Sequence, residues 1–105
     1  MRFANEYGFC ELNPLPGCAQ VVVSNHAFIY KPHRGKGHGR QNHKLRLKRA
    51  RELGYDLVLA TVRANNDAEK AILLKEGWEF LTSFTSTETG YVVEMWAYHL
   101  RDDPA

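Results

Sequence analysis

Apolar stretches alternate with polar turn segments along this chain, and their lengths predict both strands and helices. Residues 56–62, DLVLATV, are almost continuously apolar, as is typical of a strand in the middle of a sheet. Residues 20–30 are rich in β-branched and aromatic side chains, which predicts one long strand or a hairpin with its turn near Asn25. The mixed pattern at 6–12 predicts a weaker strand, ended by the proline and glycine residues of 13–17.

Two segments carry the spacing and the end signals of helices. Residues 40–53 place apolar side chains at helical intervals, and Gly54 closes the segment. The core-facing residues of this helix are predicted to be Leu47, Ala50 and Leu53. Asn66 and Asp67 are suitable capping residues for a second helix, which is predicted to stop at Gly77.

The carboxyl-terminal third predicts a β-hairpin, with strands at 78–84 and 91–99 around the turn residues 87–90. The order of strands, loop, helix, strand, helix and hairpin predicts an α/β fold with a mixed, mostly antiparallel sheet and two main helices. A chain of 105 residues has room for one domain, so residues 1–105 are interpreted as a single domain.

Composition favours a soluble globular protein. Hydrophobic residues make up 44% of the sequence, and no apolar run approaches the roughly 20 residues needed to cross a membrane. The first residues lack the apolar stretch of a signal peptide, so we expect a cytoplasmic protein. Cys10 and Cys18 are expected to be free thiols. Together with His26 and His33 they match no zinc-ligand spacing, so no metal site is expected.

Basic residues are concentrated in one part of the chain. Residues 31–51 contain nine Lys or Arg residues and no acidic residue, whereas the remainder holds five basic residues and all twelve acidic ones. Such a block attracts phosphate, either on a nucleotide cofactor or on a nucleic-acid backbone. Part of the block is also explained as the solvated face of the predicted helix, where Lys44, Lys48 and Arg51 point outward.

A glycine-rich loop with the sequence RGKGHG at 34–39 precedes the first predicted helix. The N-terminus of a helix offers unpaired amide hydrogens and the positive end of the helix dipole, which favour an anion. Gly35, Gly37 and Gly39 allow the backbone to approach a phosphate closely. The loop has neither the spacing of the dinucleotide-binding fingerprint nor that of the nucleoside triphosphatase loop.

Arg34, Gly37 and Gly39, placed between a strand and a basic helix, resemble the coenzyme A pyrophosphate loop of the GNAT (GCN5-related N-acetyltransferase) family. A second match follows in the family's order, because an apolar strand runs into Asn66 and a glycine–tryptophan pair begins eleven residues later. Together the two motifs cover about half of the chain, residues 28–80. The resemblance implies an acyl-CoA N-acyltransferase fold, in a short form without the family's first strand and first two helices.

The resemblance also implies that acetyl-CoA is the acyl donor and that the loop holds its pyrophosphate. A backbone amide at Ile29 or Tyr30, in the strand before the loop, would donate to the thioester carbonyl and stabilise the charge that develops there. Asn66 matches an asparagine that contacts the pantetheine arm or the helix start. The implied cofactor-binding residues are therefore Ile29, Tyr30, Arg34, Gly35, Lys36, Gly37, His38, Gly39, Arg40 and Asn66.

The sequence departs from the family at positions that bear on catalysis and packing. Leu73 stands where the family often has a tyrosine that protonates the departing thiolate. Asn42 and His43 stand in the first helix where apolar residues are usual. His43 lies on the inward stripe of that helix and is predicted to be a hydrogen-bonded, half-buried histidine.

Four residues are candidates for proton transfer, since the amine must lose a proton before it attacks and the departing thiolate must gain one. Glu11 lies in the strand region from which the family often supplies a carboxylate, and a solvent-facing strand residue is the alternative. His26 is a candidate because the ordinary pKa of histidine suits a base, and it is otherwise an ordinary polar turn residue. Tyr98, or Tyr30, would replace the missing acid, and both are otherwise packing residues.

The sequence thus predicts an N-acetyltransferase that moves an acetyl group from acetyl-CoA directly to a primary amine, for which a protein is one option. The alternatives are a catalytically inactive CoA-binding or interaction module and a basic nucleic-acid-binding protein. A homodimer is also predicted, since a strand edge near residues 6–12 is expected to be exposed.

Overall fold

The computed structural model describes residues 1–101, apart from the side chains of residues 25–28. Within that part of the chain, six strands and two α-helices follow one another as the sequence pattern predicts. In chain order they are β1 Arg2–Ala4, β2 Gly8–Leu15, β3 Cys18–Ile29, α1 His38–Glu52, β4 Leu57–Arg63, α2 Asp67–Lys75, β5 Glu79–Thr85 and β6 Val92–His99. A single 3₁₀ turn, Lys31–His33, lies between β3 and α1.

The described strands form one sheet in the order β1-β2-β3-β4-β6-β5. Strands β3 and β4 are parallel, and each of the other neighbouring pairs is antiparallel. A parallel pair needs a crossover connection, and α1 supplies it between β3 and β4. The mixed, mostly antiparallel sheet with two main helices is therefore confirmed.

The core lies between one face of the sheet and the helices. Alternate residues of β4 are buried, because successive side chains of a strand point to opposite faces. Both helices contribute to the same buried cluster as the strands. Its members are Leu12, Val22, Leu47, Ala50, Val58, Ala60, Val62, Leu73, Trp78, Trp96 and Leu100.

Most predicted elements are confirmed to within a few residues. Residues 20–29 lie in one continuous strand rather than a hairpin, and the first helix begins two residues earlier than predicted, at His38. Asn66 caps α2, because its side-chain oxygen accepts a hydrogen bond from the backbone N–H of Glu69 at 3.2 Å.

Three expectations about boundaries are wrong. The strand at 6–12 is not at an edge, because β1 covers its outer side through pairs such as Arg2↔Glu11. That strand also continues through Pro14 to the end of β2, where a register shift accommodates the missing N–H of proline. Leu53 was expected in the core but is 46% exposed, because α1 ends at Glu52.

No helix in the described part of the chain is both long and apolar enough to span a membrane. The described side chains also include no group of three or more His, Cys, Asp or Glu arranged to hold a metal ion. Cys10 and Cys18 are both free thiols.

Candidate functional site

The two parallel strands stay paired over only part of their length. Their register runs from Val21↔Leu57 to Ser24↔Ala60. Beyond that last pair, β3 continues to Ile29 and β4 continues to Arg63. We call the region between residues 25–29 and 61–63 the cleft. Ligands of open α/β sheets bind outside the carboxyl ends of parallel strands, so the cleft is the first place to look for a site.

The glycine loop leads from the end of β3 into the N-terminus of α1. Gly37 caps the helix in the left-handed conformation, with φ 84°, and Gly35 has φ 78°. The first backbone hydrogen bond of α1 runs from the Gln41 N–H to the Gly37 carbonyl at 3.3 Å. The amides of the three residues before Gln41 therefore lie at the positive end of the helix dipole without a partner in the preceding turn.

Space and charge at this helix start both suit an anion. No heavy atom lies within 4 Å of a Cβ built on Gly35, Gly37 or Gly39, so the backbone there is open to a ligand. The first turn of α1 contains no acidic residue. A phosphate can therefore approach the amides past the glycines, and Glu76, the carboxylate that contacts this turn, is paired with Arg40.

Basic side chains of the loop are held by defined partners. The Arg34 Nε donates to the Ile29 carbonyl at 2.9 Å, which ties the loop back to the end of β3. The Arg40 Nε donates to Glu76 Oε1 at 3.1 Å, which joins the first turn of α1 to the end of α2. Lys36 is exposed. Arg34 and Lys36 thus belong to the glycine loop itself, and Arg40 follows it directly.

Three rings stack beside the loop, and one of them was not identified from the sequence. The Tyr7 ring lies parallel to the His38 ring, with centroids 3.8 Å apart and an interplanar angle of 11°. His33 meets Tyr7 edge-on at 5.0 Å. His38 was expected among the cofactor-binding residues, and His33 lies in the 3₁₀ turn before the loop. Tyr7 lies about 30 residues from them in sequence, so no local signal could have linked it to the site.

Backbone geometry separates the two predicted donors at the end of β3. The Tyr30 N–H donates to the Tyr7 carbonyl at 2.9 Å, and Gly8 pairs with Ile29. The hydrogen bond from Tyr30 to Tyr7 joins the residues that flank Gly8 and Ile29, so Gly8↔Ile29 is a non-hydrogen-bonded pair. In such a pair the N–H of Ile29 points away from β2. The Tyr30 amide is therefore engaged within the sheet, whereas the Ile29 amide is directed to the side where the cleft lies.

The predicted catalytic residues are not brought together. Glu11 forms an ion pair with Arg2, with Oε1 and Nη2 2.8 Å apart. Tyr98 pairs with Val58, near the amino end of β4. Val58 lies three residues before Thr61, where the cleft begins, a distance of about 10 Å along a strand, so the backbone of Tyr98 lies outside the cleft. His26 lies within β3, and its side chain is outside the described residues.

The connection from β4 into α2 borders the cleft on its other side. The Lys70 Nζ donates to the Ala64 carbonyl at 3.0 Å and pairs with Glu94 Oε2 at 3.1 Å. Asn66 is committed to capping α2. Leu73, at the position where a tyrosine was expected by resemblance, is 1% exposed and packs in the core.

Polar residues occupy the inner face of α1, where apolar ones are usual. His43 is fully buried, its Nε2 accepts a hydrogen bond from Trp78 Nε1 at 2.6 Å, and its Nδ1 lies 2.9 Å from Arg46 Nη2. Burial and the charge of Arg46 lower the pKa of His43 to about 4, against an opposing effect of Glu76. The predicted hydrogen-bonded histidine is confirmed, and its burial is complete rather than partial.

Sequence comparison identifies no relative, since no protein-family model and no curated protein matches the chain. Solved structures do match it. The protein yncA from Salmonella typhimurium, solved with acetyl-CoA, has 16% identity and a TM-score of 0.80 over 94% of this chain and 61% of its own. The Escherichia coli ribosomal-protein-S18-alanine N-acetyltransferase has 15% identity and a TM-score of 0.77 over 95% of this chain and 68% of its own.

A GNAT-family acetyltransferase from Desulfovibrio desulfuricans gives the same result, with 12% identity and a TM-score of 0.78 over 93% of this chain. The chain spans 65% of the length of that protein, and between 61% and 68% of the length of these three structures. The chain therefore has the fold of the GNAT acetyltransferases.

Proposed function

We propose that the chain binds acetyl-CoA and transfers its acetyl group to a primary amine. One observation carries the proposal: the acid-free, glycine-rich N-terminus of α1 lies at the carboxyl end of β3, beside the cleft. The shared fold with a protein solved with acetyl-CoA supports this ligand among other phosphorylated compounds. In acetyl-CoA a pyrophosphate is joined to an extended arm, so the pyrophosphate would bind at the start of α1 while the arm lies in the cleft.

Two parts of the ligand, the pyrophosphate and the thioester carbonyl, have a proposed partner in the chain. The backbone amides at the start of α1 hold the pyrophosphate, and Arg34, Lys36 and Arg40 add positive charge around it. The Ile29 amide, directed away from β2, is the proposed donor to the thioester carbonyl. Tyr30 is no longer proposed for this role, because its amide is engaged with Tyr7.

Direct transfer requires little more than correct placement of the two reactants. Holding the amine beside the thioester converts a bimolecular step into an effectively unimolecular one. A protein amine is the first acceptor class to test, because a structural neighbour acts on an alanine of ribosomal protein S18. The group that removes the amine's proton is not assigned, since Glu11 is ion-paired with Arg2.

Calorimetric titration of acetyl-CoA into the purified chain tests the donor site. Gly39→Glu is the sharpest variant, because the Cβ meets no atom within 4 Å and φ at this position is not positive. A new carboxylate suits the helix N-terminus but repels phosphate, by about 1 to 4 kcal/mol at 4 Å. We expect acetyl-CoA affinity to fall about tenfold or more, while the equally large but neutral Gly39→Gln loses less.

The two variants also define what would count against the proposal. Equal affinity in Gly39→Glu and Gly39→Gln would mean that the phosphates do not lie at the start of α1. No binding of acetyl-CoA by the folded wild-type chain would remove the acetyltransferase proposal and leave the fold assignment intact.

A CoA-binding module without catalysis is a second candidate, and specific observations favour it. Leu73 is packed in the core, and Tyr98 lies at the far end of β4 from the cleft. The tyrosine expected by resemblance is therefore missing at position 73, and Tyr98 does not take its place beside the proposed thioester. Mass spectrometry of peptide amines incubated with acetyl-CoA separates the two candidates: acetylated product above the uncatalysed level supports the enzyme, and binding without product supports the module.

A further inference from the structure

The guanidinium of Arg46 lies inside the protein, in the middle of α1, with 4% of the residue exposed. Its Nη1 donates to Ser24 Oγ at 2.9 Å, and its Nη2 lies 3.6 Å from Glu69 Oε1. Its Nε is buried and has no hydrogen-bond partner among the described residues. A buried cation with an incomplete set of partners is costly, because desolvation of the charge is only partly offset.

The partners of Arg46 belong to the two sides of the cleft. Ser24 is the last residue of β3 that pairs with β4. Glu69 lies in the first turn of α2, which follows β4 after a three-residue connection. One guanidinium thus contacts β3 at the point where the strands part, and also the helix into which β4 leads.

A second set of contacts joins α1 to the residues that follow the other end of α2. The His43 ring lies between Arg46 and Trp78, which immediately precedes β5. Trp78 also donates its backbone N–H to the Leu73 carbonyl, at the end of α2. The inner face of α1 therefore contacts α2 at its first turn, through Glu69, and contacts Trp78 just after the end of α2.

We propose that Arg46 is a positioning residue that fixes the separation of β3 from the β4–α2 connection and so sets the width of the cleft. Stability alone gives no reason for a charge here, because an apolar side chain of similar volume would fill the same space without desolvation. A fork of several donors can bind Ser24 and Glu69 at once, which a single ammonium group cannot. An effect of Arg46 on acetyl-CoA affinity rests on the proposed function, whereas its effect on the width of the cleft does not.

Hydrogen–deuterium exchange measures the connection without any ligand. We expect residues 62–70 to exchange about tenfold faster in Arg46→Met and in Glu69→Gln than in the wild type, while β5 stays unchanged. Arg46→Lys keeps the charge but loses the fork, so it should resemble Arg46→Met. Glu52→Gln is the matched control, since it removes the same charge from an exposed pair with Arg49 on the same helix.

Acetyl-CoA affinity and thermal stability then separate positioning from ordinary packing. We expect Arg46→Met to bind acetyl-CoA about tenfold more weakly than the wild type. The double variant Arg46→Met/Glu69→Gln, which leaves no carboxylate without its cation, should bind as weakly and have a Tm equal to or above that of the wild type. Unchanged exchange in Glu69→Gln, or full rescue by Arg46→Lys, would overturn the proposal. Faster exchange with unchanged acetyl-CoA affinity would overturn its effect on the cleft. If the wild type bound no acetyl-CoA, the proposed function would fail, and the exchange data would still decide the role of Arg46.

Discussion

His43 is expected to make the stability of the protein depend on pH between about pH 6.5 and pH 4. Its ring is fully buried and faces the indole N–H of Trp78 and the guanidinium of Arg46. Both neighbours are donors, and neither can accept a hydrogen bond from a protonated imidazole. The fold therefore favours the neutral ring, in agreement with a pKa lowered to about 4.

The size of the effect follows from the difference in pKa between the folded and the unfolded chain. The pKa of His43 is about 4 when folded, against an ordinary value of 6.5. Above pH 6.5 the ring is neutral in both states, and its contribution to stability is complete. Between pH 6.5 and pH 4 only the unfolded chain binds the proton, so stability falls by about 1.4 kcal/mol per pH unit, or about 3 kcal/mol in total.

Urea unfolding at pH 7 and at pH 4.5, compared between the wild type and His43→Gln, isolates this contribution. Glutamine keeps an acceptor for Trp78 but cannot be protonated, and the carboxylates titrate alike in both proteins. We expect the wild type to lose about 2 to 3 kcal/mol more than His43→Gln on going from pH 7 to pH 4.5. Equal losses in the two proteins would refute the reasoning, because they would show that His43 binds its proton equally well in the folded chain.

Two further predictions concern groups in the core. Trp78→Phe should lower the free energy of unfolding by about 2 to 3 kcal/mol, because the buried ring shrinks and its hydrogen bond to His43 is lost. Urea denaturation would measure this loss, and a loss below about 0.5 kcal/mol would contradict the prediction. A thiol reagent should modify Cys18 of the native chain long before Cys10, because Cys10 is fully buried and burial raises the pKa of its thiol. Equal rates in the native state would contradict this prediction, whereas equal rates are expected in urea, where both thiols are exposed.

Local signals explain why the loop and both helices could be predicted from the sequence. The glycines at 35 and 37 adopt positive φ values, the conformation for which glycine is best suited. Asn66 caps α2 through a contact only three residues away. Because these features depend on neighbours in sequence, a single chain contains enough information to place them.

Contacts between distant segments were beyond the reach of the sequence. The three residues of β1 have no strand pattern of their own, and their pairing with β2 alone removes the expected edge at 6–12. The side chain of Tyr98 was identified as a candidate acid, yet its distance from the cleft depends on the register of β6 with β4. The ion pair between Arg2 and Glu11 depends on the same kind of pairing.

The polar inner face of α1 is the feature that the sequence pattern described least well, and its contacts give it a meaning. A solvated helix face cannot explain His43 and Arg46, since they are 0% and 4% exposed. Stability does not explain them either, because apolar residues would pack there without the cost of desolvation. Each polar residue instead contacts a different element: Asn42 donates to the Phe9 carbonyl of β2, His43 accepts from Trp78, and Arg46 contacts β3 and α2. Because α1 begins at the glycine loop, these contacts hold the loop in a fixed relation to both sides of the cleft.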